Sequence, residues 1–158
     1  MNNYVLSGAS FRYHNPAKIY LQRYRAARAR YASLCREIND LRDSLTGTTV
    51  QLKTDVVSGS GASDRMGATV AKIVDMESAI SGEAAEVTAI LNEVLAAIRS
   101  VQDETQRAVL TMRYIEGLDW IRISENIHYG ERQTFVVHGR ALVEVNRWLE
   151  GKKEGEVG

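Results

Sequence analysis

Apolar side chains recur in alternating three- and four-residue steps at Ala17, Tyr20, Tyr24, Ala27, Tyr31, Leu34, Ile38, Leu41 and Leu45. A helix gathers such positions into one stripe, and an alternation kept for four heptads is the seam of a coiled coil. Asn15-Pro16 supplies a cap followed by a residue suited to the first helical position. Thr46-Gly47 predicts the end of this helix. Residues 46–63, rich in Ser, Thr and Gly around Ser58-Gly59-Ser60-Gly61, predict a flexible connector. They lack the Gly-Lys-Ser/Thr ending that a phosphate-binding loop requires.

A second stripe runs through Met66, Val70, Ile73, Ile80, Ala84, Val87, Leu91, Val94, Ile98 and Val101. Asp64 is its expected N-cap, and polar Glu77 takes one seam slot with Met76 beside it. Gly82 predicts a kink or break between Ser81 and Glu83, because glycine costs about 1 kcal/mol relative to alanine in a helix. Two stripes joined by a connector fold back most simply as an antiparallel pair. Tyr13, Leu21 and Leu95 lie beyond the two seams, which predicts packing on the rest of the chain or self-association.

The third pattern keeps the same period over shorter stretches. Asp103-Glu104-Thr105-Gln106 has capping-box spacing and opens a helix to about Tyr114-Ile115, burying Val109, Leu110, Met112 or the stem of Arg113, and Ile115. Gly117 can end it in the left-handed region, and Asp119 can cap the next helix at Trp120. Trp120, Ile123 and Ile127 share a face, His128-Tyr129-Gly130 interrupts, and Thr134, Val137, Ala141, Val145 and Trp148 share another. Two short amphipathic helices, 120–126 and 131–150, joined by a three-residue turn with Gly, have the helix-turn-helix signature. Small Ser124 sits where they would cross. The expected fold is all-α. It comprises an irregular arm at 1–15, a coiled-coil-like antiparallel hairpin at 16–101, a three-helix helix-turn-helix domain at 102–150 and a disordered tail at 151–158.

Composition narrows the class. Apolar residues make up 44% and charged residues 25% of 158 positions, as in soluble globular chains. No apolar run of about 18 residues predicts a membrane span. The first residues lack the basic-then-apolar order of a signal peptide, and Cys35 is the single cysteine, so a cytoplasmic location is expected. Net charge is zero but unevenly placed. Residues 1–53 carry nine Lys/Arg against three Asp/Glu, residues 54–102 three against seven, and residues 103–150 six against eight. The basic helix is therefore expected to lie on the acidic one, including its Arg23-Arg25-Arg28-Arg30 run. The third region lacks the positive excess usual in a DNA-binding domain.

Catalytic chemistry finds little foothold. His14, His128 and His138 are scattered and lack zinc-ligand spacing with Cys35, so neither metal nor other cofactor is expected. Asp75, Glu77, Glu83 and Glu86 read as a solvated acidic helix face. No Ser-His-Asp or Cys-His grouping occurs, and the chain is expected not to be an enzyme.

Val109-Leu110, Arg113-Tyr114-Ile115-Glu116-Gly117-Leu118, Trp120, Ile123, Glu131-Arg132-Gln133 and Ala141-Leu142 together resemble region 4 of sigma-70-type transcription factors. With His128-Tyr129-Gly130-Glu131-Arg132-Gln133 and His138-Gly139-Arg140-Ala141-Leu142, the stretch 103–149 resembles more closely the phage-encoded sigma-70 region 4-like regulators of Gram-positive bacteria, of the ArpU-like late-gene type. The upstream hairpin matches that group in layout. The resemblance implies a DNA-binding transcription regulator that reads promoter DNA through a recognition helix starting at Glu131, with RNA polymerase as a further partner.

It also implies the contacts. Glu131, Arg132, Gln133, Phe135 and Val136 would face the major groove, with Arg132 suited to guanine and Gln133 to adenine. Arg122 and Arg140 would hold phosphates. Two departures stand out: Gly130 replaces the usual Ser cap, and Phe135 and Val136 occupy positions that are usually polar or basic. The alternatives from other classes are a small terminase subunit for DNA packaging, which also joins a helix-turn-helix to an oligomerising helical pair, and a protein-interaction module that does not bind DNA. A homo-oligomer through the hairpin and no membrane partner complete the expectations.

Overall fold

The computed structural model describes residues 15–52 and 60–156, and these are helical nearly throughout. The elements are α1 (Pro16–Leu52), α2 (Ser60–Arg99), α3 (Glu104–Leu110), a π-helical segment (Thr111–Glu116), α4 (Trp120–Ile127) and α5 (Glu131–Glu156). No strand occurs among the described residues, so the fold is all-α. The arm at 1–14 lies outside the described residues.

Two compact units divide these helices. One is Ala27–Thr88, built from most of α1 and the first part of α2. Its core is Ile38, Ile73 and Met76, with Leu41, Leu45 and Ile80 packed against it. Met76 turns inward beside Glu77, which pairs with Arg42 instead (2.6 Å). Val70 does not join the seam and stays 47% exposed. Arg30 meets Glu83 and Glu86 at 3.0 and 3.2 Å, and Glu37 meets Lys72 at 3.4 Å. From Arg30 to Arg42 the partner's number falls from Glu83 and Glu86 to Glu77, which is the antiparallel sense. Pairs this exposed are worth only ~0–1 kcal/mol each, so they select register while the apolar seam stabilises.

Four expectations about helix ends are corrected. The connector at 46–63 is shorter, since α1 runs to Leu52 and α2 begins at Ser60, leaving 53–59 outside the described residues. Extending an existing helix needs no new nucleus, and one Gly47 costs only about 1 kcal/mol. The nearby hydroxyls fit a helix by bonding back to it: Ser44 Oγ donates to the Leu41 carbonyl (2.7 Å) and Thr46 Oγ1 to that of Arg42 (3.1 Å). Asp64 accordingly lies inside α2 and does not cap it. The tail at 151–158 is helical through Glu156, continuing α5 past Gly151. Gly82 interrupts nothing: α2 passes straight through it. A Cβ at Gly82 would meet nothing within 4 Å. Gly82→Ala should therefore raise unfolding stability by about 0.5–1 kcal/mol, measured by urea denaturation. A loss of stability would show that something covers that face.

The second unit joins the described residues up to Ala26 with Ala89 onward. Here α1 begins with its orphan donors met from two sides. The Ala17 N–H donates to Asn146 Oδ1 of α5 (2.7 Å) and the Lys18 N–H to Asn15 Oδ1 (3.3 Å). Ala17 and Leu21 are fully buried, so Leu21 serves the interior of this unit. Tyr20 meets Trp148 edge-on with ring centroids 6.1 Å apart. At the end of α2, Arg107 of α3 donates to the Val101 and Gln102 carbonyls, each at 2.8 Å. Val94, Ala97, Ile98 and Val101 are buried there, as the second stripe requires.

Candidate functional site

The segment that matters most is α3 to α5. Asp103 takes extended backbone angles and accepts from the Gln106 N–H (2.8 Å), which starts α3. Only half of the capping box forms, because Gln106 Oε1 is buried without a partner. Past Leu110 the helix widens into the π segment. Tyr114, four residues after buried Leu110, is buried there, and Arg113 is half-buried. Arg113 donates to the Leu118 carbonyl (3.0 Å) and lies 4.7 Å over the Trp120 ring.

Gly117 closes the segment at φ +80°, where a Cβ would be strained, and its N–H reaches the Met112 carbonyl. Asp119 then caps α4, accepting from the Arg122 N–H at 2.9 Å. After Ile127 the left-handed residue of the turn is His128 (φ 56°), not Gly130. Its backbone, with that of Tyr129, satisfies the last carbonyls of α4. Gly130 leads directly into α5, its carbonyl accepting from the Thr134 N–H (2.9 Å). The helix thus starts where the pattern predicts, without a side-chain cap from that position.

What locks α5 against α4 is partly apolar and partly polar. Ile123, Val109 and Val137 form the buried centre, with Met112, Leu118, Trp120 and Ile127 around it. Ser124 and Thr134 face each other with their hydroxyls 3.0 Å apart, both buried. Ser124 Oγ also lies 2.8 Å from the Trp120 carbonyl, and Thr134 Oγ1 3.1 Å from that of Gly130. Two hydroxyl protons thus serve one inter-helix bond and one helix carbonyl, leaving no buried hydroxyl orphaned. A larger side chain at 124 would push α4 and α5 apart.

Locking the inward face leaves the outward one exposed. Glu131, Arg132 and Gln133 are exposed in the first turn, Arg140 two turns on, and Arg122 on α4. Among the described residues Arg122, Arg132 and Arg140 have no ion-pair partner, whereas Arg23, Arg30 and Arg42 of α1 are each matched to a carboxylate. Lys18, Arg25, Arg28 and Arg36, the other cations of α1, form no ion pair among the described residues. Val136 is 41% exposed. Phe135 is 47% exposed, yet its ring lies 4.7 Å from that of Trp120, so one side of it covers that indole.

The pattern along the chain missed one cluster. Tyr129 is 43% exposed, whereas His138 Nε2 lies 3.0 Å from the Tyr114 hydroxyl. The two rings stack at 5.8 Å, and Trp120 meets His138 edge-on at 4.8 Å. Burial pushes the Tyr114 hydroxyl up to about 12, so it stays protonated beside neutral His138. The only signal available was Tyr114 and His138 near otherwise apolar faces.

His138 gives a pH prediction. Burial, then the charges of Lys18 and Arg113, hold its imidazole at about 4 against the ordinary 6.5. The unfolded chain takes up this proton as pH falls through about 6.5, while the folded chain resists until about 4. Stability from this group is thus present above pH 6.5 and lost on the way down to 4. With each pH unit worth 1.36 kcal/mol and some solvent contact retained, the loss should be roughly 2 kcal/mol. Urea denaturation at pH 7 and pH 4.5 checks it: His138→Gln should lose less stability than the parent over that interval.

Among the described residues no three His, Cys, Asp or Glu side chains are placed to hold a metal ion, and no helix is long and apolar enough to cross a membrane. Comparison with protein-family models, with curated proteins and with solved structures finds no match to this chain.

Proposed function

We propose that this chain is a DNA-binding transcription regulator that reads duplex DNA with the first turns of α5. One observation carries the reading. The helix is anchored inward through Thr134, Val137 and Ala141 while Glu131, Arg132, Gln133 and Val136 stand exposed on its N-terminal end. Major-groove readers present base-contacting side chains from that end of a helix braced by its predecessor. In this reading Arg132 and Gln133 contact base edges, since a guanidinium matches the guanine acceptors and a carboxamide matches adenine. Arg122 and Arg140, unpaired within the described fold, hold phosphates on either side. Phe135 serves mainly to cover Trp120, with its free edge available to a thymine methyl. The resemblance to phage-encoded sigma region 4-like regulators supports a promoter as the target and RNA polymerase as a further partner.

A second reading is favoured by Val136 and Phe135, whose exposed apolar surface within a region of net negative charge suits protein docking without DNA. A selection separates the two readings. Purified full-length chain is incubated with sheared source genome at low and moderate salt, and the retained DNA is sequenced. Enrichment of a discrete upstream segment at both salts supports the regulator. Enrichment beside a packaging start would favour a terminase role, and no enrichment even at low salt would overturn DNA reading.

A further inference from the structure

The far end of α5 carries a second surface that DNA reading does not use. A groove of about 900 Å³ lies between the start of α1 and the last turns of α5. Its α1 wall is Pro16, Ile19, Tyr20 and Arg23, one helical face at steps of three and four. Its α5 wall is Val143, Arg147, Glu150 and Lys153, again one face. Two helix faces splayed this way leave a trough into which the ridge of a third helix fits. Ile19 and Val143 stand 53% and 54% exposed on its sides.

Charge selects the occupant. Arg23 is neutralised by Glu93 at 2.8 Å. Arg147 and Lys153 have no ion pair among the described residues, and the Lys152 ammonium lies 5.7 Å from the Trp148 ring centre. Glu150 alone opposes these three cations in the lining, so the rim is positive while the surrounding region, 103–150, is net negative. We propose that this groove docks an acidic amphipathic helix of a partner protein, its apolar ridge between Ile19 and Val143 and its carboxylates toward Arg147 and Lys153. Helix-in-groove recognition places the docked helix's apolar anchors at i, i+3, i+4 and i+7, and the α1 wall repeats that spacing. Nucleic acid fits poorly, because its phosphates would have to lie against Ile19 and Val143 and face Glu93 and Glu150.

The test uses the full chain and a labelled helical peptide of roughly five turns, with leucines on one face and glutamates flanking them, and a lysine-flanked twin. Fluorescence anisotropy should show the acidic peptide binding about tenfold or more tightly than its twin, with the gap shrinking as salt rises. Arg147→Glu with Lys153→Glu should reverse the preference, and Val143→Asp should abolish binding of either peptide. Circular dichroism checks that each variant keeps its helix content. Failure of both peptides to bind, equal binding of the two, or wild-type affinity in Val143→Asp would overturn the proposal. So would sedimentation showing that a second copy of the chain fills the groove, dimerising in a way that Val143→Asp dissolves. None of these readouts depends on DNA, so this inference and the DNA-reading proposal stand or fall separately.

Discussion

Ile123→Ala should destabilise the chain by about 2–5 kcal/mol, the cost of emptying a fully buried isoleucine site that cannot collapse. The side chain is fully buried against Val109 of α3 and Val137 of α5, so three helices lose contact at once. Collapse is resisted because the Ser124–Thr134 bond holds α4 and α5 at a fixed spacing beside the hole. Domains of this size are stable by only about 5–15 kcal/mol, so the variant should lose a large share of its stability. Ile121→Ala is the matched control: it lies two residues earlier, is 59% exposed, and should change stability by less than about 0.5 kcal/mol. Urea unfolding followed by the fluorescence of Trp120 and Trp148 reads both. A cost below about 1 kcal/mol for Ile123→Ala would mean that α4 is not held by this core.

The second large effect concerns recognition. Arg132→Ala should weaken binding to the selected DNA by about 1–3 kcal/mol, roughly 5- to 150-fold, and flatten preference at one base position. Its side chain is exposed in the first turn of α5 and, among the described residues, forms no ion pair, so its loss should leave folding unchanged. Arg140→Ala should act differently. A phosphate contact carries no sequence information, so affinity should drop on all duplexes alike and the dependence on salt should lessen by about one counterion. Fluorescence anisotropy on the selected site and on a scrambled duplex, over a range of salt, separates the two patterns. Wild-type affinity and preference in both variants would remove α5 from the DNA interface.

Much of the helical layout was legible along the chain because helix periodicity is a local property. Every seam position expected in α1 is buried or half-buried, from Ala17 to Leu45. Pro16, Gly117 and Asp119 mark helix boundaries through their own backbone and side-chain chemistry, and the structure keeps all three roles. Ser124 was identifiable as the crossing point because only a small residue fits between close helices. Helix ends were read too early where they rested on composition. Gly47, Gly82 and Gly151 each carry a modest cost that neighbouring turns offset, so none of them stops a helix.

The outward set Glu131, Arg132, Gln133, Phe135, Val136 and Arg140 follows from the inward period of α5, and the packing agrees with that division. What no period could supply was the partner of each side chain. That Phe135 leans on Trp120, that Arg113 lies over the same indole, and that Tyr114 rather than Arg113 is buried are contacts between elements.

Local periodicity thus sets most of the helical stretches, apart from residues 47–52, 60–63 and 151–156, together with the faces that turn inward and most of the residues that start and stop the turns. These depend on neighbours within one or two helical turns. The tertiary structure alone decided that the start of α1 packs in one unit with the last turns of α5, through Asn146 at the Ala17 N–H and Trp148 at Tyr20. It alone buried His138 against Tyr114, and it left the groove beside Ile19 and Val143 open. Those outcomes join residues more than a hundred positions apart or cross a break in period, and the free energy that selects them exists only once the helices meet.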